Sequence, residues 1–421
     1  MKHVVVVGGG VVGLTTAWAL VNSGFRVTLL ERAETIASGA SHANGGQLSY
    51  RYVSPLADAG VPRKALGWLL KADGPLRFRP ELRFEQWAWM ARFLSQCTSA
   101  ANRRTTEQLL RLGILSQARF DDYCAPMPAP ALNLRAPGKL VVYRNRKEFA
   151  RAAAAATSLG DEATTTGDVE VLSAQDCARV EPALSEASSL LAGGIFTGNE
   201  AVADCRAFCA QLLDQLSLSS NFVVRNHATA TGFVRSHDRV VAAMTSAGNI
   251  EGDEFVIAAG LHSVALAASV GIRLPIYPLK GYSLSAPISA QHRAPEISVT
   301  DFEQKVLYAR IGDQLRVAAM VDIVGDDASL DASRVAALHR MVRATMPHAA
   351  DYDQAIPWAG LRPATPGGAP ILGKTPVAGL WLNVGHGPLG FTFASGSAHI
   401  LAALISRRES PIPLDGLTLT A

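Results

Sequence analysis

The sequence predicts an α/β protein (α+β overall), with a nucleotide-binding domain on a parallel sheet interleaved with a second domain of antiparallel mixed sheet and helices. Three observations predict it. Residues 4–31 read as strand, glycine turn, helix, strand and acid; strand patterns fill 275–323; and strand, glycine loop and helix recur over 380–406. A chain of 421 residues is too long for one ordinary core and suits two connected domains.

The opening stretch is the most specific. Val4 to Val7 are consecutive β-branched residues, suited to a strand buried on both faces. In Gly8-Gly9-Gly10-Val11-Val12-Gly13, Gly8 permits the tight turn, Gly10 leaves room for a pyrophosphate at the helix N-terminus, and Gly13 lets helix and strand pack closely. Helix formers run from Leu14 to Val21, Gly24 stops them, and a second strand runs from Arg26 to Glu31. At that spacing the Glu31 carboxylate can accept both hydroxyls of an adenosine ribose and would repel a 2′-phosphate, which argues against NADP. The pattern is Rossmann-like and leaves FAD and NAD both open.

A small, polar loop follows from Ser38 to Gln47, able to bring backbone close to a flat ring or a diphosphate. Residues 48–135 carry helical patterning. Within them Phe84, Trp87, Ala88, Ala91 and Leu94 form an apolar stripe, while Trp89, Met90 and Phe93 interrupt the polar face. Such a helix packs over the site or, with Arg77, Arg79, Arg83 and Arg92 interspersed, lies against a membrane surface. A strand is expected at Gly138–Tyr143, helix caps at Ser173 and Asp204, and strands at 221–225, 232–235 and 240–244. Phe255–Gly260 reads as a buried strand returning to the nucleotide domain. Val306–Arg310 and Leu315–Met320, separated by Gly312-Asp313, read as an antiparallel pair at a substrate pocket. A helix is expected over 328–346. A helix N-terminus after the Gly385–Gly390 loop can stabilise negative charge.

Composition excludes several classes. The hydrophobic share of 48% and charged share of 18% describe a well-buried globular chain with no disorder signature. A net charge of +3 supports neither nucleic-acid binding nor strong membrane attraction. Five cysteines fall in no disulfide or metal rhythm, which fits a reducing compartment, and no metal is expected. Cys205 and Cys209, one helical turn apart, read as small apolar residues on a helix face. No signal peptide and no apolar run long enough to span a bilayer are expected, which places the chain in the cytoplasm.

Four stretches carry a resemblance over almost the whole chain: Val4–Glu31, Ser41–Tyr52, Tyr277–Ser283 (Tyr-Pro-Leu-Lys-Gly-Tyr-Ser) and Gly360–Thr392, the last with Gly-Leu-Arg-Pro-Ala-Thr-Pro and Gly-His-Gly-Pro-Leu-Gly-Phe-Thr. The chain resembles the D-amino-acid oxidase superfamily of FAD-dependent oxidoreductases, within it most the branch of bacterial D-amino acid dehydrogenase small subunits. The resemblance implies non-covalent FAD. It places Gly8, Gly10, Gly13 and Glu31 on the ADP half, with Val12 and Arg32 beside them. Ser41, Asn44, Gly45, Gly46, Gln47 and Leu48 would line the pyrophosphate and flavin, Ala259 and Gly260 would close on the dinucleotide, and Gly387, Leu389, Gly390 and Thr392 would contact the flavin pyrimidine edge. It also implies a discontinuous FAD domain (1–50, 138–275, 355–421) and a substrate domain (51–137, 276–354). Two departures stand out: Pro366-Gly367-Gly368 lacks the family's acid, expected to loosen a turn, and Pro388 replaces a more usual polar residue.

By the same resemblance Arg362 forks the substrate carboxylate, a task a planar guanidinium suits. A deprotonated amine then gives hydride from Cα to flavin N5, and the imino acid hydrolyses to a 2-oxo acid and ammonia. Tyr50, Tyr52, Tyr282, Tyr308 and Arg310 are pocket candidates, each with a bland reading as a sheet-face or surface residue, and His386 is a candidate base or a structural neighbour of the flavin loop. Electrons are expected to pass to a quinone or dye-type acceptor, with peripheral contact at the inner face of the cytoplasmic membrane. Two alternatives stay open: an oxidase or dehydrogenase of glycine, sarcosine, proline or hydroxyproline, and a non-catalytic electron-passing flavoprotein subunit.

Overall fold

Strand His3–Val7 forms where its β-branched run predicts, and Val4 to Val7 are at most 3% exposed because both of its faces are covered. It pairs in parallel with Arg26–Leu30 on one side and Glu254–Ile257 on the other, bringing Val7 level with both Leu30 and Ile257. In the computed structural model, which describes residues 1–69, 74–162 and 169–419, these strands belong to a six-stranded sheet. Its order is Ile371–Lys374, Leu380–Val384, Glu254–Ile257, His3–Val7, Arg26–Leu30, Phe222–Arg225. Only Ile371–Lys374 runs antiparallel to its neighbour.

Helices Val11–Asn22, Cys205–Ser217 and Gly390–Ile405 cover one face of this sheet through a shared core that includes Leu14, Phe208 and Leu401. The antiparallel meander over 230–251 packs on the other through Phe233 and Phe255. Over 19 residues Gly387–Ile405 is long and apolar enough to cross a bilayer, against the expectation of no such run. It is a core helix: Phe391, Phe393, Ile400 and Leu401 are buried, and Ser395 and Gly396 bond Ser116 of helix Ser99–Cys124.

The second sheet has nine strands, with Ile356–Ala364, Tyr277–Pro287, Gln314–Ile323, Val306–Ile311, Ser298–Asp301, Lys139–Tyr143, Gly193–Thr197 and Val169–Leu172 in order, and Leu76–Phe78 beside Gln314–Ile323. This corrects the expected boundaries. Lys139–Tyr143 pairs with Ser298–Asp301 and Gly193–Thr197, and Ile356–Ala364 with Tyr277–Pro287, so segments given to the FAD domain build the substrate sheet. Helix Ser99–Cys124, given to the substrate domain, packs on Gly390–Ile405 through Phe120 and Phe391. Pairing across more than a hundred residues is not encoded in local periodicity.

One face of this sheet packs on helix Ala332–Thr345 in a core with Leu284, Val317, Leu338 and Val342. The opposite face meets the 41–48 loop, where Ser283 Oγ donates to the Ala43 carbonyl at 2.8 Å and Arg316 Nη1 to that of Asn44 at 2.8 Å. Helix Phe84–Gln96 buries the side opposite its longer apolar stripe. Trp89, Met90 and Phe93 pack on Tyr277 and Leu279, and the stripe turns outward, with Phe84 81% exposed and Trp87 and Leu94 each 49%.

Candidate active site

The turn after the first strand is built for close approach. Gly8 takes φ +118°, and a Cβ there would lie 2.5 Å from the Ala258 carbonyl oxygen; a Cβ on Gly13 would overlap the Gly8 carbonyl. Helix Val11–Asn22 begins without a side-chain cap from Gly10, and Val11 N–H is taken by Ser41 Oγ at 3.0 Å. The N–H groups of Val12 and Gly13 carry no hydrogen bond among the described residues, leaving the positive helix end open to an anion. Glu31 is set by two backbone donors, Gly9 N–H to Oε2 at 2.7 Å and Ala33 N–H to Oε1 at 2.8 Å, which leaves acceptor capacity for hydroxyl groups. Arg32 beside it is exposed. A cradle a Cβ would fill, an open helix N-terminus and a fixed carboxylate fit the dinucleotide the resemblance implies.

The second loop is shaped in the same way. Asn44 Oδ1 accepts from Gly46 N–H at 3.0 Å, and a Cβ on Gly46 would lie 2.8 Å from the Ala203 carbonyl oxygen. Gln47 and Leu48 pair with Ala201–Val202, and the Leu48 side chain is wholly buried in the nucleotide-domain core. Thr392 Oγ1 donates to the Gln47 carbonyl at 3.4 Å, joining the loop to the start of helix Gly390–Ile405. Gly387 and Leu389 form the turn before that helix, and Ala259 N–H donates to Ser263 Oγ at 3.1 Å beside Gly260.

Arg362 lies on the loop-facing side of the large sheet. Its guanidinium rests over Gly281, where a Cβ would overlap it, and Nη1 donates to the Met320 carbonyl at 3.0 Å. It is deeply enclosed, and burial pulls its pKa down to about 10, yet part of its surface stays accessible. It makes no salt bridge among the described residues. A deep, reachable and unpaired guanidinium is a group prepared for an incoming anion, because a buried charge with no partner is otherwise costly. Two residues further on, Ala364 forms a backbone bridge to His386, tying the arginine strand to the 385–390 glycine loop.

The other pocket candidates separate. Tyr52 is 37% exposed, its ring lies 4.5 Å from Lys139 Nζ, and burial of its hydroxyl pushes the hydroxyl pKa up. Tyr50 is buried in the nucleotide-domain core with Phe120 and Met127. Tyr282 and Tyr308 sit in the core beneath the sheet's other face, where Tyr282 Oη donates to Asp322 Oδ2 at 3.1 Å. Arg310 pairs with Glu296 at the surface. Tyr50, Tyr282, Tyr308 and Arg310 therefore do not join Arg362: for Tyr282, Tyr308 and Arg310 alternation along the strand decides the face, and one residue's step reverses it, while Tyr50, outside any strand, is held in the other core. His386 is fully enclosed, its pKa driven by burial down to about 3, so it is neutral and hydrogen-bonded to Ser397 Oγ at 3.2 Å, which suits a structural part rather than a base. The expected loose turn at Pro366 is closed by Thr365, whose Oγ1 donates to the Ala369 carbonyl at 2.7 Å.

Two residues escaped the sequence reading. Lys139, 3% exposed, donates to Gln47 Oε1 at 2.7 Å and Ser49 Oγ at 2.8 Å, and burial lowers its pKa to about 8. A single charge opening the apolar run Lys-Leu-Val-Val-Tyr was the available signal. Trp358 shares a strand face with Arg362, which the i, i+4 spacing along a strand could have shown.

Comparison with known proteins agrees with this geometry. The family model described as FAD dependent oxidoreductase matches residues 3–404. The chain is 48% identical to D-amino acid dehydrogenase 2 of Pseudomonas aeruginosa, covering 99% of this chain and 98% of that protein, and 44% identical to D-amino acid dehydrogenase 2 of Ralstonia nicotianae, covering 97% and 98%. Among solved structures, glycine oxidase from Geobacillus kaustophilus superposes with a TM-score of 0.77 at 20% identity, covering 100% of this chain and 99% of that one. L-proline dehydrogenase from P. horikoshii gives 0.72 at 15%, covering 99% and 96%. The chain belongs to the DAO family of FAD-dependent oxidoreductases.

Proposed function

We propose that the protein is a D-amino acid dehydrogenase that deaminates its substrate oxidatively to a 2-oxo acid and ammonia and passes the electrons to a quinone or dye-type acceptor. The observation that carries it is Arg362, an enclosed guanidinium without a carboxylate partner among the described residues, tied through Ala364 and His386 to the loop read as the flavin's. The names of its nearly full-length relatives point the same way.

FAD, held by Gly8, Gly10, Gly13, Glu31 and the 41–48 and 387–392 loops, supplies the two-electron acceptor when bound. The protein's part is placement. Arg362 grips the carboxylate at two points and so limits how Cα can be presented. The sheet face and the 43–47 loop exclude water around the reacting carbon. The amine reacts unprotonated, and His386, neutral and engaged with Ser397, leaves the amine's proton to solvent. The imino acid then hydrolyses.

The acceptor reading rests on the outward stripe. Leu82, Phe84, Trp87 and Leu94 stand exposed, an apolar ridge suited to a membrane surface where a quinone is found, with Arg79 and Arg83 beside it paired with Asp327 and Asp326.

The test is anaerobic mixing of the yellow protein with a panel of D- and L-amino acids, glycine and D-proline. Bleaching by D-amino acids, with slow peroxide formation in air and fast dye reduction, is expected. Bleaching by L-amino acids alone or by secondary amines alone would replace the substrate assignment, and peroxide formation as fast as dye reduction would replace the acceptor.

A further inference from the structure

Gly281 and Gly360 are directly opposed on neighbouring strands of the large sheet, and both are buried. Neither position has room for a Cβ. One on Gly281 would overlap the Arg362 guanidinium, and one on Gly360 would overlap the Trp358 indole. Opposed Cβ positions are about 5 Å apart, so the two planar groups lie side by side on one bare patch of sheet.

Trp358 is set apart from the buried indoles. Trp89 and Trp381 are buried and donate Nε1–H to the Ala364 carbonyl and to Glu254, whereas Trp358 is partly accessible and its Nε1–H has no partner among the described residues. It joins neither the core beneath this sheet nor the one around Trp89. Its strand pairs in register with Ser283, which holds the Ala43 carbonyl, and its ring centroid is 6.3 Å from that of His42. The indole therefore faces the loop side of the sheet, next to the carboxylate grip, without serving the core.

We propose that Trp358 determines side-chain specificity, its indole being the apolar surface on which the substrate's side chain lies once the carboxylate is on Arg362. This rests on the amino-acid reading above. A flat aromatic floor beside a fixed carboxylate rewards extended apolar, thioether and aromatic side chains over a methyl group, through area removed from water and contact with the ring. The two glycines permit it by letting both planar groups lie flat on the backbone.

The experiment compares kcat/KM for D-leucine, D-methionine and D-phenylalanine with that for D-alanine in wild type, Trp358→Ala and Gly360→Ala, alongside flavin-absorbance titrations with benzoate and acetate. In Trp358→Ala the preference for the larger substrates over D-alanine should fall at least about tenfold, with benzoate weakened more than acetate. Gly360→Ala, whose methyl displaces the ring, should move the ratio the same way. A uniform change across the panel, or ratios within about threefold of wild type in both variants, would overturn the specificity role. If wild type is bleached by no D-amino acid, the proposed function fails instead, and the benzoate-to-acetate ratio still decides whether Trp358 is the apolar floor. If Trp358→Ala does not fold, Gly360→Ala and Trp358→Leu carry the same comparison.

Discussion

Arg362 Nη1 donates to the carbonyl oxygen of Met320 at 3.0 Å, and Met320 has a left-handed backbone, φ +66°. A non-glycine residue in that region costs on the order of 1–2 kcal/mol. The strand register shifts opposite it, between Lys280 and Tyr282, so the sheet accepts local strain where its carbonyl holds the guanidinium. An arginine held by a backbone carbonyl and resting on a glycine keeps donors free for a ligand.

Replacing Arg362 with lysine keeps a charge but loses the planar, two-point grip. Arg362→Lys is expected to lose at least about a hundredfold in kcat/KM, roughly 2.7 kcal/mol, while still binding FAD. Steady-state kinetics on folded, yellow enzyme check this, and a loss under about threefold would remove Arg362 from its role.

Gly281→Ala places a methyl group where the guanidinium lies. The expected outcome is a rise of roughly tenfold or more in KM for amino acids and a matching loss of benzoate affinity, with the flavin retained. Unchanged KM would mean that Arg362 can work from another position.

Glu31 fixes the Gly9 and Ala33 amides and is the expected ribose ligand. Glu31→Ala should purify with much less bound FAD, each lost charge-assisted hydrogen bond being worth about 1.5–3 kcal/mol. Flavin content after dialysis measures it; wild-type retention would contradict it.

Lys139 releases its proton near pH 8 in the folded protein, against 10.5 ordinarily, because burial disfavours the charge. Between those values the unfolded chain holds more protons, so this group's contribution to stability rises with pH, and its full cost is felt below about pH 8. The stability of wild type relative to Lys139→Met should therefore improve by roughly 1–3 kcal/mol from about pH 7.5 to about pH 10. Denaturant unfolding of both proteins across that range tests it, and a flat difference would show that Lys139 is not titrating there.

The outward stripe of helix Phe84–Gln96 should carry membrane binding. Phe84→Glu combined with Trp87→Glu is expected to weaken sedimentation with vesicles containing anionic phospholipid by about tenfold or more, leaving dye-linked activity intact. Equal binding of variant and wild type, or no binding by wild type, would remove this surface from the acceptor reading.

The sequence by itself determined the nucleotide-binding half. Gly13 meets the Gly8 carbonyl, Glu31 takes the Gly9 amide, and Val4–Val7 pair with 27–30, so much of this unit lies within thirty residues and is local enough to read from residue types, although Gly8 also meets Ala258 and the strand's other edge meets 254–257. The same holds for the caps at Ser173 and Asp204, which accept from Asp176 and from Arg206 and Ala207 as short-range geometry requires. Tertiary structure alone decided which strand borders which, and so which side chains meet. Lys139 reaches Gln47 because Lys139–Tyr143 enters the sheet beside Ser298–Asp301, a pairing across more than 150 residues that periodicity cannot encode. Tyr282 and Arg362 come from neighbouring strands yet face opposite sides, because alternation leaves one on the loop face and the other on the core. Helix Phe84–Gln96 shows the same limit: both of its faces are apolar, and only the presence of Tyr277 and Leu279 against Trp89 settles which of them is buried.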